Sequence, residues 1–248
     1  KEEHTHDKIC YSDKTADVET AEIWEATFAG VELTGDWATD VLAIAETQLG
    51  YTESKKNFVE NELGEQSGYT RYGAWYGVPY GDWCAMFISF CLNYAEVEAF
   101  PMEANCQNWI DQLKEEPYGV YRETEEYVPK AGDLIFFDTD LDGVCHHVGI
   151  VAKVELGEED TISTVKVLEG NSVHDCVEYI TYELSDPKIM GYGELIQPKE
   201  ESDISTNLLT YEDETMFVTA TFPEEYVIPE NAVLSVKMID AQTDEETF

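Results

Sequence analysis

The sequence predicts an α+β fold in which helices come first and an antiparallel sheet second. Three observations predict it. Residues 36–50 and 84–92 carry apolar side chains at helical spacing, four segments between residues 133 and 182 are short and rich in Val, Ile, Phe and Tyr, and the composition shifts to an acidic linker near Pro198. At 248 residues, 43% hydrophobic and 12% aromatic, the chain can fill one sizeable core and something smaller. The expected divisions are 1–35, a polar N-terminal segment; 36–197, the compact domain; and 198–248, a linker with a partial all-β module.

The first segment brings His4, His6 and Cys10 close together in sequence, either as three of the four ligands of a small zinc knuckle or as an ordinary polar terminus. AEIWEATFAGVEL reads as a linker or short element outside the main pattern. The compact domain opens at Gly35. Asp36 is a good N-cap for WATDVLAIAETQLG, where Ala38, Val41, Leu42, Ala45 and Leu49 share a face and Gly50 suits the stop. A long loop then ends in YTRYGAWYGVPYGDW. Its Trp75, Tyr76, Tyr80 and Trp83 either wall a substrate groove or pack over the start of the next helix.

That helix begins GDWCAMFISFC. Cys84, Phe87, Ile88, Cys91 and Leu92 recur on one helical face, and Asp82 is the expected N-cap. A thiol at the first turn lies at the positive end of the helix dipole, which favours the thiolate; the same Cys84 also suits a small buried position. After a shorter helical stretch around NWIDQL come the strands DLIFF (133–137), HVGIVAKV (147–154), STVKVLE (163–169) and CVEYITY (176–182), and IMGYGEL closes the domain. TMFVTATF, EYVIPE and AVLSVKMID read as the start of a separate β module.

With 53 acidic against 14 basic residues the formal charge is -39. Nucleic acid is excluded as a partner, because its phosphates need clustered Lys and Arg. Anionic membranes and wall polymers are repelled as well, so charge does not hold the protein on a wall. No long apolar run predicts a membrane span, the opening KEEHTHDKICY has no apolar core of a signal peptide, and both ends read as cuts in a longer polypeptide. The six cysteines (10, 84, 91, 106, 145 and 176) lack regular spacing and any C-x-x-C, which indicates neither a zinc ribbon nor a dense disulfide framework.

In an antiparallel hairpin, residues equidistant from the turn face each other. The midpoint of His147 and Glu169 is residue 158, inside the intervening loop, so the pattern sets these two side chains opposite one another, with Asn171 at the same rim. A cysteine at a helix start, a histidine and an orienting carboxylate or amide are the parts of thiol-based acyl transfer, a chemistry that needs no cofactor.

W-C-A-x-F, A-G-D-L-I-F-F-D, D-x-D-G-x-x-x-H-V-G-I-V, L-E-G-N and G-Y-G, in this order over residues 36–197, resemble the CHAP domain family, the cysteine- and histidine-dependent amidohydrolases and peptidases of the NlpC/P60-like, papain-type superfamily. The resemblance implies a papain-like fold, Cys84 as nucleophile, His147 as general base and acid, Glu169 and Asn171 as orienting groups, and the Cys84 N–H in the oxyanion hole. It implies a peptidoglycan or peptide substrate cut at an amide bond. His146 competes with His147, but V-G-I-V follows His147 in the family's register. Asp138, Asp140, Asp142 and Gly143 look like half of a calcium loop whose twelfth position is Gly149 instead of a bidentate Glu, so a polar turn without metal is expected. HTHDKICY resembles short His/Cys repeats, and TFPEEYVIPENAVLSVKMID resembles β modules of Gram-positive surface proteins, which implies an extracellular or cell-surface setting. An adhesive module that keeps the fold for binding, and an amide hydrolase aimed at a host or neighbouring protein, are the alternatives.

Overall fold

A computed structural model describes residues 12–97, 100–157 and 163–197 in full, and four further strands by their backbone. The chain divides into two units, Lys1–Gln197 and Pro198–Phe248. His4, His6 and Cys10 lie outside the described residues.

The first element, α1 (Ala21–Glu25), belongs to the segment expected to stand apart, yet the segment packs on the core. The Trp24 indole N–H donates to the Tyr94 hydroxyl at 2.9 Å, and the Phe28 ring lies 4.6 Å from that of Tyr94 and 6.0 Å from that of Phe90. Glu19 pairs with Arg71 at 2.7 Å. The physical reason is visible in the spacing of Trp24, Phe28 and Val31, which puts three apolar side chains on one side of the segment.

Asp36 caps α2 (Trp37–Glu46), its carboxylate accepting from the Thr39 N–H at 2.8 Å. Val41, Ile44 and Ala45 are buried, whereas Leu49 is exposed because the helix stops at Glu46 and the chain turns at Gly50 with φ +81°. The loop that follows contains a small hairpin, β1 (Phe58–Glu60) with β2 (Gln66–Gly68), and a helix the sequence did not announce, α3 (Arg71–Tyr76). Thr70 caps α3 at Gly73 N–H, and Gly77 ends it in the left-handed conformation with φ +98°. Gly73 sits mid-helix because a Cβ there would come within 2.5 Å of the Val78 carbonyl oxygen.

The central helix is α4 (Cys84–Tyr94), buried on every side from Cys84 to Leu92 rather than on one face. Truncating its fully enclosed Phe87 to Ala would cost about 3–5 kcal/mol. Asp82 does not cap it. The N-cap is Trp83, whose backbone (φ -115°, ψ 8°) starts the helix one residue later than expected, leaving Asp82 exposed and the first turn without a side-chain cap. Asn105 caps α5 (Cys106–Lys114), which buries Trp109, Ile110 and Leu113.

The sheet takes β3 (Tyr121–Glu123), β4 (Leu134–Phe137), β5 (His147–Glu155), β6 (Thr164–Glu169), β7 (Glu178–Glu183) and β8 (Ile189–Gly193) in the antiparallel order β3-β8-β4-β5-β6-β7. Alternation sorts its side chains: Leu134, Phe136, Val148, Ile150 and Leu168 join the helices, while Ile135, Phe137, Val151, Val165, Val167 and Tyr192 form a second cluster. The fold is mixed α+β, helices on an antiparallel sheet, as the sequence predicts. In the second unit β9 (Ser205–Glu212) pairs with β10 (Thr215–Thr221), and β11 (Met238–Ile239) with β12 (Glu246–Thr247).

Candidate active site

The β5–β6 register brings Gly149, not His147, opposite Glu169. The hairpin is centred later than residue 158, and a bulge between Val151 and Lys153 shifts the pairing again. His147 nevertheless meets Glu169 diagonally, two residues along the same face, with Nε2 donating to Oε2 at 2.9 Å. Gly149 permits this crossing: a Cβ there would sit 2.3 Å from Val167 Cγ1 and 3.1 Å from Glu169 Cγ. Gly170, directly after β6, allows an equally close approach to α4, since its Cβ would strike the Phe87 ring at 2.6 Å.

The α4 start places the Cys84 thiol near enough to the His147 imidazole to act on its protonation, while Nε2 is taken by Glu169. Burial alone would push the imidazole down, but the Cys84 and Glu169 side chains, as acceptors and as charges, carry His147 up to about 10. The imidazolium is therefore the favoured form beside a cysteine at neutral pH. The Cys84 backbone N–H is the first of the helix and has no intrahelical acceptor, which leaves it free for a developing oxyanion.

Glu169 is 1% exposed, and its Oε1 has no hydrogen-bond partner among the described residues. The Tyr182 hydroxyl lies beside this carboxylate and is pushed up by burial and then by the Glu169 charge. Tyr182 packs against Phe137 with the rings tilted at 42° and their centroids 4.7 Å apart, and Phe137 lies 6.0 Å from the His147 ring. A low-polarity wall thus surrounds the His147–Glu169 pair and strengthens its electrostatics. The sequence assigns no place in the site to Gly149 or Tyr182. The V-G-I-V run held the signal for Gly149, because a glycine inside a strand marks a close approach.

Asn171 lies at the rim with φ +56° and makes no hydrogen bond to His147 among the described residues, so the imidazole is oriented by Glu169. His146 turns toward the acidic loop, its Nδ1 3.4 Å from Asp140 and 3.7 Å from Asp138. One ligand atom each from Asp138, Asp140, Asp142 and His146 fall within 4.8 Å of one another. Asp138 accepts from the N–H groups of Gly143 at 2.7 Å and Asp142 at 3.1 Å, which builds the turn from within.

A cleft of about 230 Å³ is lined by Trp83, Asn171, Glu53, Lys55, Asp82 and Asp175, among others, and reaches the sequence neighbours of Cys84 and Glu169 but not those two residues themselves. Trp83 is 1% exposed, stacks on Tyr72 at 5.4 Å, and its indole N–H has no partner among the described residues. Trp75, Tyr76 and Tyr80 do not line this cleft. Trp75 packs edge-on against Phe90, Tyr76 donates to the Met102 carbonyl, and Tyr80 donates to Asn57. Their aromatic surface went into anchoring the loop, because α3 turns it toward the core.

Residues 73–171 match the family described as the CHAP domain, a stretch that contains Cys84, His147, Glu169 and Asn171. No curated protein matches the chain. A solved structure, that of an NlpC/P60 family protein from Bacillus cereus ATCC 10987, aligns at 18% identity over 64% of this chain and 40% of that one, with a TM-score of 0.35. This chain thus spans two fifths of that protein's length. Residues 73–171, two fifths of the chain, are thus similar to the CHAP domain family.

Proposed function

We propose that this protein is a cysteine amidase or endopeptidase that hydrolyses amide bonds of bacterial peptidoglycan. The observation that carries the reading is His147 donating to buried Glu169 at 2.9 Å, with Cys84 at the start of α4 near enough to help raise the imidazole. In the proposed mechanism the Cys84 thiolate attacks the scissile carbonyl, and the new oxyanion takes the Cys84 N–H. The His147 imidazolium, steadied by Glu169, gives its proton to the leaving amine. Neutral His147 then draws a proton from water, which attacks the thioester and releases Cys84.

The cleft lining supports a substrate with free amines: Glu53, Asp82 and Asp175 face one cation, Lys55, which pairs with Asp175 at 3.2 Å and Glu53 at 3.5 Å. Stem peptides that carry side-chain amines meet that condition where bare glycan does not. An extracellular or cell-surface setting goes with this substrate. The formal charge of -39 favours a second reading, an amide hydrolase acting on a basic host or neighbouring protein.

The test is incubation of the protein and its Cys84→Ala variant with peptidoglycan from several bacteria, with mass spectrometry of released fragments. Fragments that need Cys84 establish the enzyme and name the bond. Equal release by both proteins overturns the nucleophile assignment. Silence on every wall, with cleavage of basic proteins, moves the reading to the second substrate class.

A further inference from the structure

Two cysteines outside the catalytic trio meet beside it. Cys106 opens α5, and Cys145 lies two residues before His147. Each is 5% exposed. The Cys106 thiol donates to the Cys145 carbonyl at 3.1 Å, the Gln107 side chain accepts from the Cys145 N–H at 2.8 Å, and the Cys145 thiol donates to the His147 carbonyl at 3.3 Å. The first turn of α5 therefore grips the segment that delivers His147 through two contacts, of which one is a weak thiol hydrogen bond.

We infer that Cys106 and Cys145 form a cross-link site: in an oxidising medium the two thiols join as a disulfide that fastens the approach to His147 onto α5. Three facts favour this pair. The two cysteines come from separate elements and the Cys106 thiol lies against the Cys145 backbone with both thiols free, whereas Cys91 is enclosed in α4, Cys84 lies near His147, and Cys176 contacts Ser172. Both sites are dry, so the bond is shielded from reducing thiols once made. Moreover, the Cys106 thiol is pushed up by its bond to Cys145 and by burial, which makes it a poor nucleophile in the folded chain and assigns the reaction to folding.

The oxidant is a small-molecule disulfide such as oxidised glutathione. One protein thiolate attacks a glutathione sulfur, breaking the reagent's S–S bond and releasing one glutathione thiolate. The second protein thiolate then attacks the mixed disulfide, forming the Cys106–Cys145 bond and releasing the other. The two protons from the protein thiols end on the two glutathiones, the reagent gains two electrons, and the cysteines lose two.

The test is refolding of the whole chain from denaturant, in mixed oxidised and reduced glutathione and separately in excess dithiothreitol, followed by alkylation, unreduced digestion and mass spectrometry. The expected result is a linked peptide joining residues 106 and 145, absent under dithiothreitol and in Cys145→Ser, with a higher thermal midpoint for the cross-linked protein. Alkylation of both cysteines in the oxidised sample, or a bond from either one to another cysteine, overturns the inference. Should Cys145→Ser fail to fold, the wild-type peptide map decides alone. The cross-link is independent of what the Cys84 site cleaves: an unreactive Cys84 beside an intact 106–145 link would sink the hydrolase and leave this inference standing.

Discussion

Replacing Glu169 by Gln keeps the side chain's size and reach while removing its charge. Moving His147 from 6.5 to about 10 corresponds to roughly 5 kcal/mol in favour of the imidazolium, as a net balance against burial. Cys84 and Glu169 each supply a hydrogen bond and a charge to that balance, so an even division gives Glu169 about 2 kcal/mol, within the roughly 1.5–3 kcal/mol of a hydrogen bond to a charged group. A loss of that size is a rate reduced about 30-fold. The sign follows from the proton's position. The imidazolium must be present to protonate the leaving amine, so hydrolysis should hold below the His147 pKa and fall as pH rises through about 10. Glu169→Gln lowers that pKa and pulls the alkaline limb toward neutrality. Stability gives a second readout that needs no substrate: the His147 contribution is fully present below pH 6.5, its ordinary value, and lost by about pH 10. The urea midpoint of the wild type should decline across that window, and the decline should flatten in the variant. Hydrolysis within twofold of wild type, with an unmoved alkaline limb, would refute the assignment of Glu169.

Gly149→Ala should both destabilise the protein by about 1–3 kcal/mol and impair hydrolysis, because the new methyl collides with Val167 and crowds Glu169. Adding Val167→Ala removes the harder collision, so the double variant should regain more of its thermal midpoint than of its activity; full recovery of both would show that Glu169 is indifferent to Gly149. Trp24→Ala should lower stability by about 1–3 kcal/mol in urea titration, since it strips a partly buried ring and its hydrogen bond to Tyr94. An unchanged midpoint would mean that the leading segment is an independent appendage.

The parts of the fold governed by local periodicity were readable. The apolar run behind Cys84 became α4, and the four β-rich stretches became β4 to β7. What escaped depended on contacts between distant residues. Six residues containing Gly73 and three aromatics read as loop because glycine weakens a helix, yet the close Val78 carbonyl demands glycine there. The leading segment looked detached because Trp24 and Phe28 find their partners some seventy residues away, on α4. Cys84, His147 and Glu169 could be named from order and motif, but their meeting relies on a bulge and on Gly149, which no hairpin midpoint calculation contains. An aromatic-rich loop leading into Cys84 suits Trp75, Tyr76 and Tyr80 to a wall or to an anchor alike, and composition does not tell the two apart.

Among the described residues the strand order β3-β8-β4-β5-β6-β7 ends in two margins where another chain could add by backbone pairing. One margin, β3, is only three residues long. The other, β7, reads EYITYE, an aggregation-prone apolar centre bracketed by Glu178 and Glu183. Ser172 and His174 hydrogen-bond Glu178 and hold it below the usual carboxylate range, so at least one of these two gatekeepers keeps its charge as the medium acidifies. Acid-induced fibre formation should accordingly begin only once Glu178 is neutralised, and the histidine and serine beside it set how acidic that must be.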